Sequence, residues 1–220
     1  MMLFLSTLLF FSVLWLAYIG KKAAVVNWGG WFINWIDGVG RLLCRHLHRM
    51  PPTTIPLPKT GPAIVVANHV SGLDSFVLIA ASTRPLRFLV AREQYDRPLL
   101  HWLFKASGCI PVDRSGKPEL ALRQALRALQ ANEILAIFPH GKIQLKTDPP
   151  KRLKGGSVRL SAWTKAPIYP VKITGVACQG SEAIAPFIPS HIRLHIADPI
   201  TSQGDDMAAC LQYLTDVIED

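Results

Sequence analysis

The sequence predicts an α/β domain, a mixed and mostly parallel sheet flanked by helices, preceded by an N-terminal membrane-anchoring helical segment. Three observations carry this. From residue 59 to residue 220, short β-branched runs alternate with longer segments of helical period, the pattern of a sheet covered on both faces. Residues 3 to 19 form one uncharged apolar run, at the short end of what spans a bilayer. Half of the 220 residues are hydrophobic and the mean hydropathy is +0.24, high for a purely soluble chain. That length suffices for one full core plus an appendage.

The first segment, 1–22, reads as the anchor. Its only basic residues, Lys21 and Lys22, follow the apolar run, and no A-x-A-like site follows them. A cleaved signal peptide would show the opposite order. The positive-inside rule then puts the rest of the chain on the cytoplasmic side; a hairpin dipping into one leaflet is the competing reading. The second segment, 23–58, reads as an interfacial helical stretch and a Pro-rich linker. Trp28, Trp31 and Trp35 recur at helical spacing with Phe32, Ile33 and Ile36, across the weakening pair Gly29-Gly30. Arg41, Arg45 and Arg49 fall at i, i+4 and i+8. Aromatic rings favour the headgroup level and a basic stripe favours anionic lipid. The alternative is that the tryptophans pack on the domain. Met50 to Pro58 breaks regular structure with four prolines and stiffens the entry to the domain.

The domain, 59–220, is read element by element. Ala63-Ile64-Val65-Val66-Ala67 is a buried strand, and Asp74 to Ala80 opens a buried helix. Leu86 to Ala91 is a strand; Arg92 to Ser107 is a helix with Leu99, Leu100, Leu103 and Phe104 on one side. Cys109 to Val112 is a short strand. Ser115 to Asn132 is a helix with Pro118 in its first turn and Leu122, Leu126 and Leu129 as its apolar stripe. Ile134 to Phe138 is a strand, Leu160 to Lys165 helical, Ile168 to Thr174 and Ile192 to Ile196 strands, and Asp205 to Glu219 a closing amphipathic helix.

Charge and cysteine usage narrow the partners. The net charge is +9 and the pI about 9.7, which suits a polyanion. The apolar N-terminus favours a membrane surface, and no zinc-finger spacing or RNA-binding signature supports nucleic acid. Four scattered cysteines form no CxxC, so they read as free thiols in a reducing compartment. Cys44-Arg45-His46-Leu47-His48 has no second ligand cluster, so no metal is expected. G-x-S-x-G, P-loop, G-x-G-x-x-G and H-E-x-x-H are all absent.

The chemistry sits on the turn after the first strand, Asn68-His69-Val70-Ser71-Gly72-Leu73-Asp74. His69 and Asp74 are five residues apart. Inside one helix that is a rotation of about 140°, and the two side chains would diverge. With His69 on the turn and Asp74 in the helix, the carboxylate folds back onto the imidazole. It then fixes the tautomer and leaves the other nitrogen free as a base. The alternative is a structural His, which the seven histidines of this chain make a serious competitor.

This block resembles the first signature of the glycerolipid acyltransferases, the lysophosphatidic acid acyltransferase family. Three later stretches follow the family's order, over roughly residues 60 to 175, about half the chain. Gly108-Cys109-Ile110-Pro111-Val112-Asp113-Arg114 resembles the second block, which implies that Arg114 holds the acceptor phosphate. A guanidinium at a strand end can do so with a bidentate fork; the other reading pairs Arg114 with Asp113. Phe138-Pro139-His140-Gly141-Lys142 stands where the family carries Phe-Pro-Glu-Gly-Thr, commonly followed by Arg. Here His140 replaces the acid, Lys142 the threonine and Ile143 the arginine. A carboxylate only accepts, whereas a histidine can donate, so the departure puts glycerol-phosphate specificity in doubt. His140 is expected to donate to the acceptor, with Lys142 adding compensating charge. Arg152-Leu153-Lys154-Gly155-Gly156 matches a basic, glycine-containing stretch of the family, and Ala166 to Val171 its fourth, structural block.

The resemblance implies a membrane-bound acyltransferase. His69 takes the proton from an acceptor hydroxyl, and Asp74 orients the imidazole. Asn68, Arg114, His140, Gly141, Lys142 and Lys154 bind substrate. The co-substrate is acyl-CoA or acyl carrier protein, and no metal or redox cofactor is expected. The partners are membrane lipids and a lysophospholipid, with lysophosphatidic acid the default acceptor. A different lysolipid acceptor, a non-catalytic lipid-binding protein on the same fold, and a lipid hydrolase are the rival readings.

Overall fold

The computed structural model describes the backbone of residues 2–114, 116, 118–145, 147–149 and 151–219, with side chains except those of residues 2–10, 13 and 118. Six strands form one sheet: β1 (Ala63–Ala67), β2 (Leu86–Ala91), β3 (Ile110–Val112), β4 (Ile134–Ile137), β5 (Ile168–Thr174) and β6 (Arg193–Ile196). Their order is β3-β2-β4-β1-β5-β6. Every pairing is parallel except β5 with β6, so the sheet is mixed and mostly parallel, as the sequence predicts.

The two faces follow from the period of two along each strand. Ala63, Val65 and Ala67 of β1 turn to one face with Ile134 and Ala136 of β4 and Tyr169, Val171 and Ile173 of β5. Helix α3 (Asp74–Ala81) covers that face through Val77, Leu78 and Ala81. Ile64, Val66, Leu135 and Ile137 point to the other face, under helices α6 (Pro118–Gln130), α7 (Gly156–Thr164) and α8 (Met207–Glu219). The right-handed crossover rule explains the division. From β1 to β2 the chain steps one way along the sheet through α3. From β3 to β4, and from β4 to β5, it steps the other way through α6 and α7. The connections leaving β1 and β4 therefore part to opposite faces. These strands are neighbours, and such a point opens a crevice at their carboxyl ends.

Several elements differ from their sequence expectation for identifiable reasons. The helix expected over 92–107 is two, α4 (Arg92–Tyr95) and α5 (Pro98–Ala106). Pro98 excludes helical backbone at Arg97, which lies extended at φ −62° and ψ 124°. Leu99 is 86 % exposed rather than buried. In α6 the deepest line is Ala121, Ala125, Ala128 and Leu129, with Leu122 and Leu126 only partly buried beside it. The alanines let the helix lie close on the sheet. Ser115 and Lys117, at the expected start of that helix, lie outside the described residues.

The N-terminal segment forms a helical hairpin, α1 (Met2–Ala23) and α2 (Trp31–Leu42). The helices touch at glycines: a Cβ on Gly38 would lie 1.8 Å from the Gly20 carbonyl oxygen. Buried Asp37 accepts from the amide nitrogens of Val25 and Val26 and from Arg41 Nε at 2.9 Å. Two features of the expected interfacial helix are corrected. Trp28 lies before the helix, where its amide donates to Asn34 Oδ1, and its ring packs on the core. The basic stripe is broken. A π-helical turn, Leu43–Leu47, follows α2, Arg49 sits beyond it at φ +46°, and Arg41 is drawn inward to the carbonyls of Ala80 and Ser82. Among the described residues no helix is long and apolar enough to cross a membrane. Half of the side chains of the expected anchor, residues 1–22, lie outside the described set.

Candidate active site

His69 stands just past the carboxyl end of β1, at the crevice between β1 and β4. Asn68 fixes the strand end. Its Nδ2 donates to the Ile173 carbonyl at 2.9 Å and its Oδ1 accepts from the Ile173 amide at 2.7 Å. Both ends of the amide are thus engaged by β5. Asn68, expected among the substrate-binding residues, is placed as a clamp between strands.

Asp74 is fully buried at the first turn of α3. Its Oδ2 accepts from His69 Nδ1 at 2.8 Å, the Val70 amide at 2.7 Å and the Ser71 amide at 2.8 Å. Its Oδ1 accepts from Ser71 Oγ at 2.9 Å. All four partners are donors, so both carboxylate oxygens serve here as acceptors. Nδ1 of His69 must then carry its hydrogen, which leaves the Nε2 lone pair as the basic position. The His69 side chain is 21 % exposed, enough for a substrate to reach it. Ser71 donates to Asp74 and accepts from the Leu73 amide, so it is occupied as a support and unsuited as a nucleophile.

Two loops hold the turn from outside. Gly180 donates to the Val70 carbonyl and Gly72 to the Ser181 carbonyl, at 2.8 and 3.0 Å. A Cβ at Gly72 would lie 1.9 Å from the Glu182 carbonyl oxygen, so only glycine permits this approach. The segment after β4 closes the other side: Gln144 donates its amide to the His69 carbonyl at 2.8 Å. Phe138 stacks on the His69 ring, centroids 4.1 Å apart and planes 14° from parallel. Sequence reasoning used Phe138 only as a motif match and missed this contact. It also missed the 176–182 loop, whose one signal was a pair of nearby glycines, Gly175 and Gly180, both at positive φ.

The amides of residues 70–74 are all taken. Those of Val70 and Ser71 serve Asp74, Gly72 serves Ser181, Leu73 serves Ser71 Oγ, and Asp74 caps back to the Ser71 carbonyl.

The expected substrate-binding residues divide into two groups. Lys154 arrives beside the Phe138–Lys142 loop by donating its amide to the Pro139 carbonyl. Its ammonium lies over Gly141, where a Cβ would come within 2.7 Å of Nζ and φ is +74°. Burial, then the positive charges of Lys151 and Arg114, hold the Lys154 pKa below its usual value. The charges of Lys151 and Arg114 therefore reach Lys154 beside the Phe138–Lys142 loop. Arg114 pairs with Glu93 at 3.1 Å, not with Asp113, whose Oδ1 accepts from the Gly116 amide. An exposed pair of this kind is worth at most about 1 kcal/mol and exchanges readily for a phosphate. Lys142 is exposed beside them.

His140 is the exception. Its ring is buried and turned toward α8, where Nε2 meets Glu219 Oε1 at 3.0 Å; Nδ1 is buried without a hydrogen-bond partner. The residue expected to donate to the acceptor instead joins the loop to the last helix. Among the described residues no group of three or more His, Cys, Asp or Glu is placed to hold a metal ion.

The sequence model of the family described as Acyltransferase matches residues 52–174. An N-acylphosphatidylethanolamine synthase of Arabidopsis thaliana is 27 % identical over 65 % of this chain and 57 % of its own length. A probable 1-acyl-sn-glycerol-3-phosphate acyltransferase of Mycoplasma genitalium is 33 % identical over 54 % of this chain and 46 % of its own. The chain spans about half the length of these curated relatives. The crystal structure of the 1-acyl-sn-glycerophosphate acyltransferase PlsC from Thermotoga maritima shares the fold, with a TM-score of 0.66 at 20 % identity over 85 % of this chain and 78 % of that one.

Proposed function

The chain belongs to the acyltransferase family, and from that premise we propose that it moves a fatty acyl group from a thioester to a lysophospholipid hydroxyl. The observation that carries this is the His69–Asp74 pair, with Nδ1 held at 2.8 Å and Nε2 open to the crevice. Nε2 takes the hydroxyl proton as the acceptor oxygen attacks the thioester carbonyl, and buried Asp74 stabilises the imidazolium. The carbon–sulfur bond then breaks, and His69 returns the proton to the leaving thiolate. Base catalysis of this kind contributes about 10²–10⁴-fold. The oxyanion's donors come from outside residues 70–74, from water or from the segment after Gly141, because the turn's amides are engaged. The donor is acyl-CoA or acyl carrier protein, and the chemistry needs no metal or redox cofactor.

The default acceptor is lysophosphatidic acid, giving phosphatidic acid. The cluster of Arg114, Lys151 and Lys154 supports a phosphorylated acceptor. A second reading keeps the chemistry and changes the acceptor. His140 faces Glu219 rather than the crevice, so the acceptor contact made by the family's acid has no counterpart here. The Arabidopsis relative is named for an N-acylated product, which points to an amine-bearing phospholipid. The enzyme works at a membrane surface, where the exposed Phe11, Trp15, Tyr18 and Trp31 of the helical hairpin enter the headgroup layer; a cytoplasmic catalytic domain behind an N-terminal anchor is the topology that fits.

The test supplies a labelled acyl thioester and a panel of lysolipids and amine lipids to membranes holding wild type or His69→Ala. Transfer by wild type alone supports the reading, and alkali-labile ester against alkali-stable amide identifies the acceptor atom. Equal silence of both folded proteins across the panel overturns it in favour of a lipid-binding protein. Release of free fatty acid with no acceptor present indicates a hydrolase.

A further inference from the structure

Away from the His69 turn, the described residues line a cavity of about 370 Å³. It lies by the last residues of α3 and the segment leading into β2, toward the amino ends of the strands, whereas His69 lies at the carboxyl end of β1 beside the start of α3. Four segments meet there: the end of α1, the α2 π-turn, the Pro51–Thr54 linker and the last residues of α3. The floor is apolar, with buried Cys44, Met50 and Ala81, and the rim carries Lys22 and Arg45, both exposed. Arg41 lines one wall. Its charge is balanced by Asp37, and its guanidinium is bonded to Asp37 and to the carbonyls of Ala80 and Ser82. Among the described residues no acidic side chain lines the cavity. The unbalanced charge is thus that of Lys22 and Arg45, two positive charges, beside the exposed hydroxyl of Thr54.

We propose that this cavity binds the phosphate of an anionic ligand, at a site separate from the acyl-transfer centre. Two cations at one rim match a phosphate mono- or dianion, and their hydrogen bonds to it are charge-assisted. The volume falls within the range of small-ligand sites and exceeds what one ion fills, while the apolar floor suits a glycerol backbone and the first carbons of an acyl chain. The phosphate comes from a phospholipid headgroup or from free phosphate. α1 ends at this rim, so a headgroup would meet it where the apolar helix stops. The helix whose last residues line the cavity begins with Asp74.

The test is a thermal-unfolding titration of the full chain in detergent. The probes are dihexanoylphosphatidic acid, dihexanoylphosphatidylcholine and inorganic phosphate, with chloride at matched ionic strength as the control. Phosphatidic acid is expected to raise Tm in wild type and in Arg114→Ala/Lys154→Ala, and to lose at least about tenfold in affinity in Lys22→Ala/Arg45→Ala. Thr54→Glu, an exposed change that leaves the cations in place, is expected to abolish the rise by repulsion and serves if the double variant does not fold. Inorganic phosphate matching the lipid's effect assigns the site to free phosphate; a larger effect of the lipid assigns it to a headgroup. A rise lost in Arg114→Ala/Lys154→Ala but kept in Lys22→Ala/Arg45→Ala and Thr54→Glu overturns the proposal, as does no rise with any probe, or an equal rise with phosphatidylcholine and chloride. None of these readouts depends on acyl transfer.

Discussion

Replacing Asp74 by Asn separates the charge of the pair from its shape. The asparagine oxygen can keep the place of Oδ2, accepting from His69 Nδ1 and from the amides of Val70 and Ser71, which now lie at 2.7 to 2.8 Å. The new NH₂ then faces Ser71 Oγ, which turns to accept. The Ser71 hydroxyl hydrogen loses its acceptor and the other bonds lose their charge assistance, a cost to the fold of about 1–3 kcal/mol. The transition state loses more. An imidazolium and a carboxylate with charge centres about 4 Å apart attract by about 4 kcal/mol at an effective dielectric of 20. Neutral Asn removes that attraction only when His69 is protonated. The expected fall in kcat is therefore about a thousandfold, with KM nearly unchanged. The assay is transfer of labelled acyl groups from acyl-CoA to lysophosphatidic acid, with far-UV circular dichroism melts confirming the fold. A kcat within tenfold of wild type, in a protein that melts within a few degrees of it, refutes the assignment of Asp74 as the group that stabilises the imidazolium.

Three further predictions follow from single contacts. Phe138→Ala removes the ring stacked on His69 and is expected to lower kcat about tenfold while costing about 2 kcal/mol of stability, read by the same assay and by chemical denaturation. Lys154→Met is expected to raise KM for a phosphorylated acceptor by about 10–100-fold with kcat little changed; in wild type the Lys154 pKa lies below its usual 10.5, so that KM should begin to climb below pH 10.5 as the ammonium deprotonates. Burial pushes the Cys44 thiol up to about 12 from its usual 9.0. Its contribution to stability is full below about pH 9 and falls as the pH rises from there toward 12, because the unfolded chain releases the proton first. A thiol reagent at pH 8 should label exposed Cys178 quickly and leave Cys44 untouched until the protein unfolds.

The pairing of His69 with Asp74 on its turn was legible in the sequence because its logic is local. A β-branched run, a polar turn and an apolar helix specify the strand–turn–helix, and five residues of separation suffice to bring His69 and Asp74 together. The sheet's parallel character was legible for the same reason, through the alternation of elements. What the sequence hid depends on contacts between distant segments. Nothing near Asn68 announces that Ile173 takes both ends of its amide, and nothing near His140 announces Glu219. Side-chain direction past a strand end depends on the turn geometry there, so a residue at a motif position need not face the crevice. Arg41 is a like case: its spacing put it on a basic stripe, while the carbonyls at the end of α3 and the carboxylate of Asp37 drew it inward.

The clamp between Asn68 and Ile173 joins residues 105 apart in the chain, and the bond between His140 and Glu219 joins residues 79 apart. High-separation contacts carry the loop-closure cost of folding and form late. On a ribosome, β1 and the turn after it are made long before Ile173 or Glu219 exists. Phe138 and the 176–182 loop must both emerge before the His69 ring has its stacking surface and the turn its outer braces. The contacts around the His69 ring and its turn are thus complete only once residues 176–182 have been made, more than a hundred residues after the turn itself.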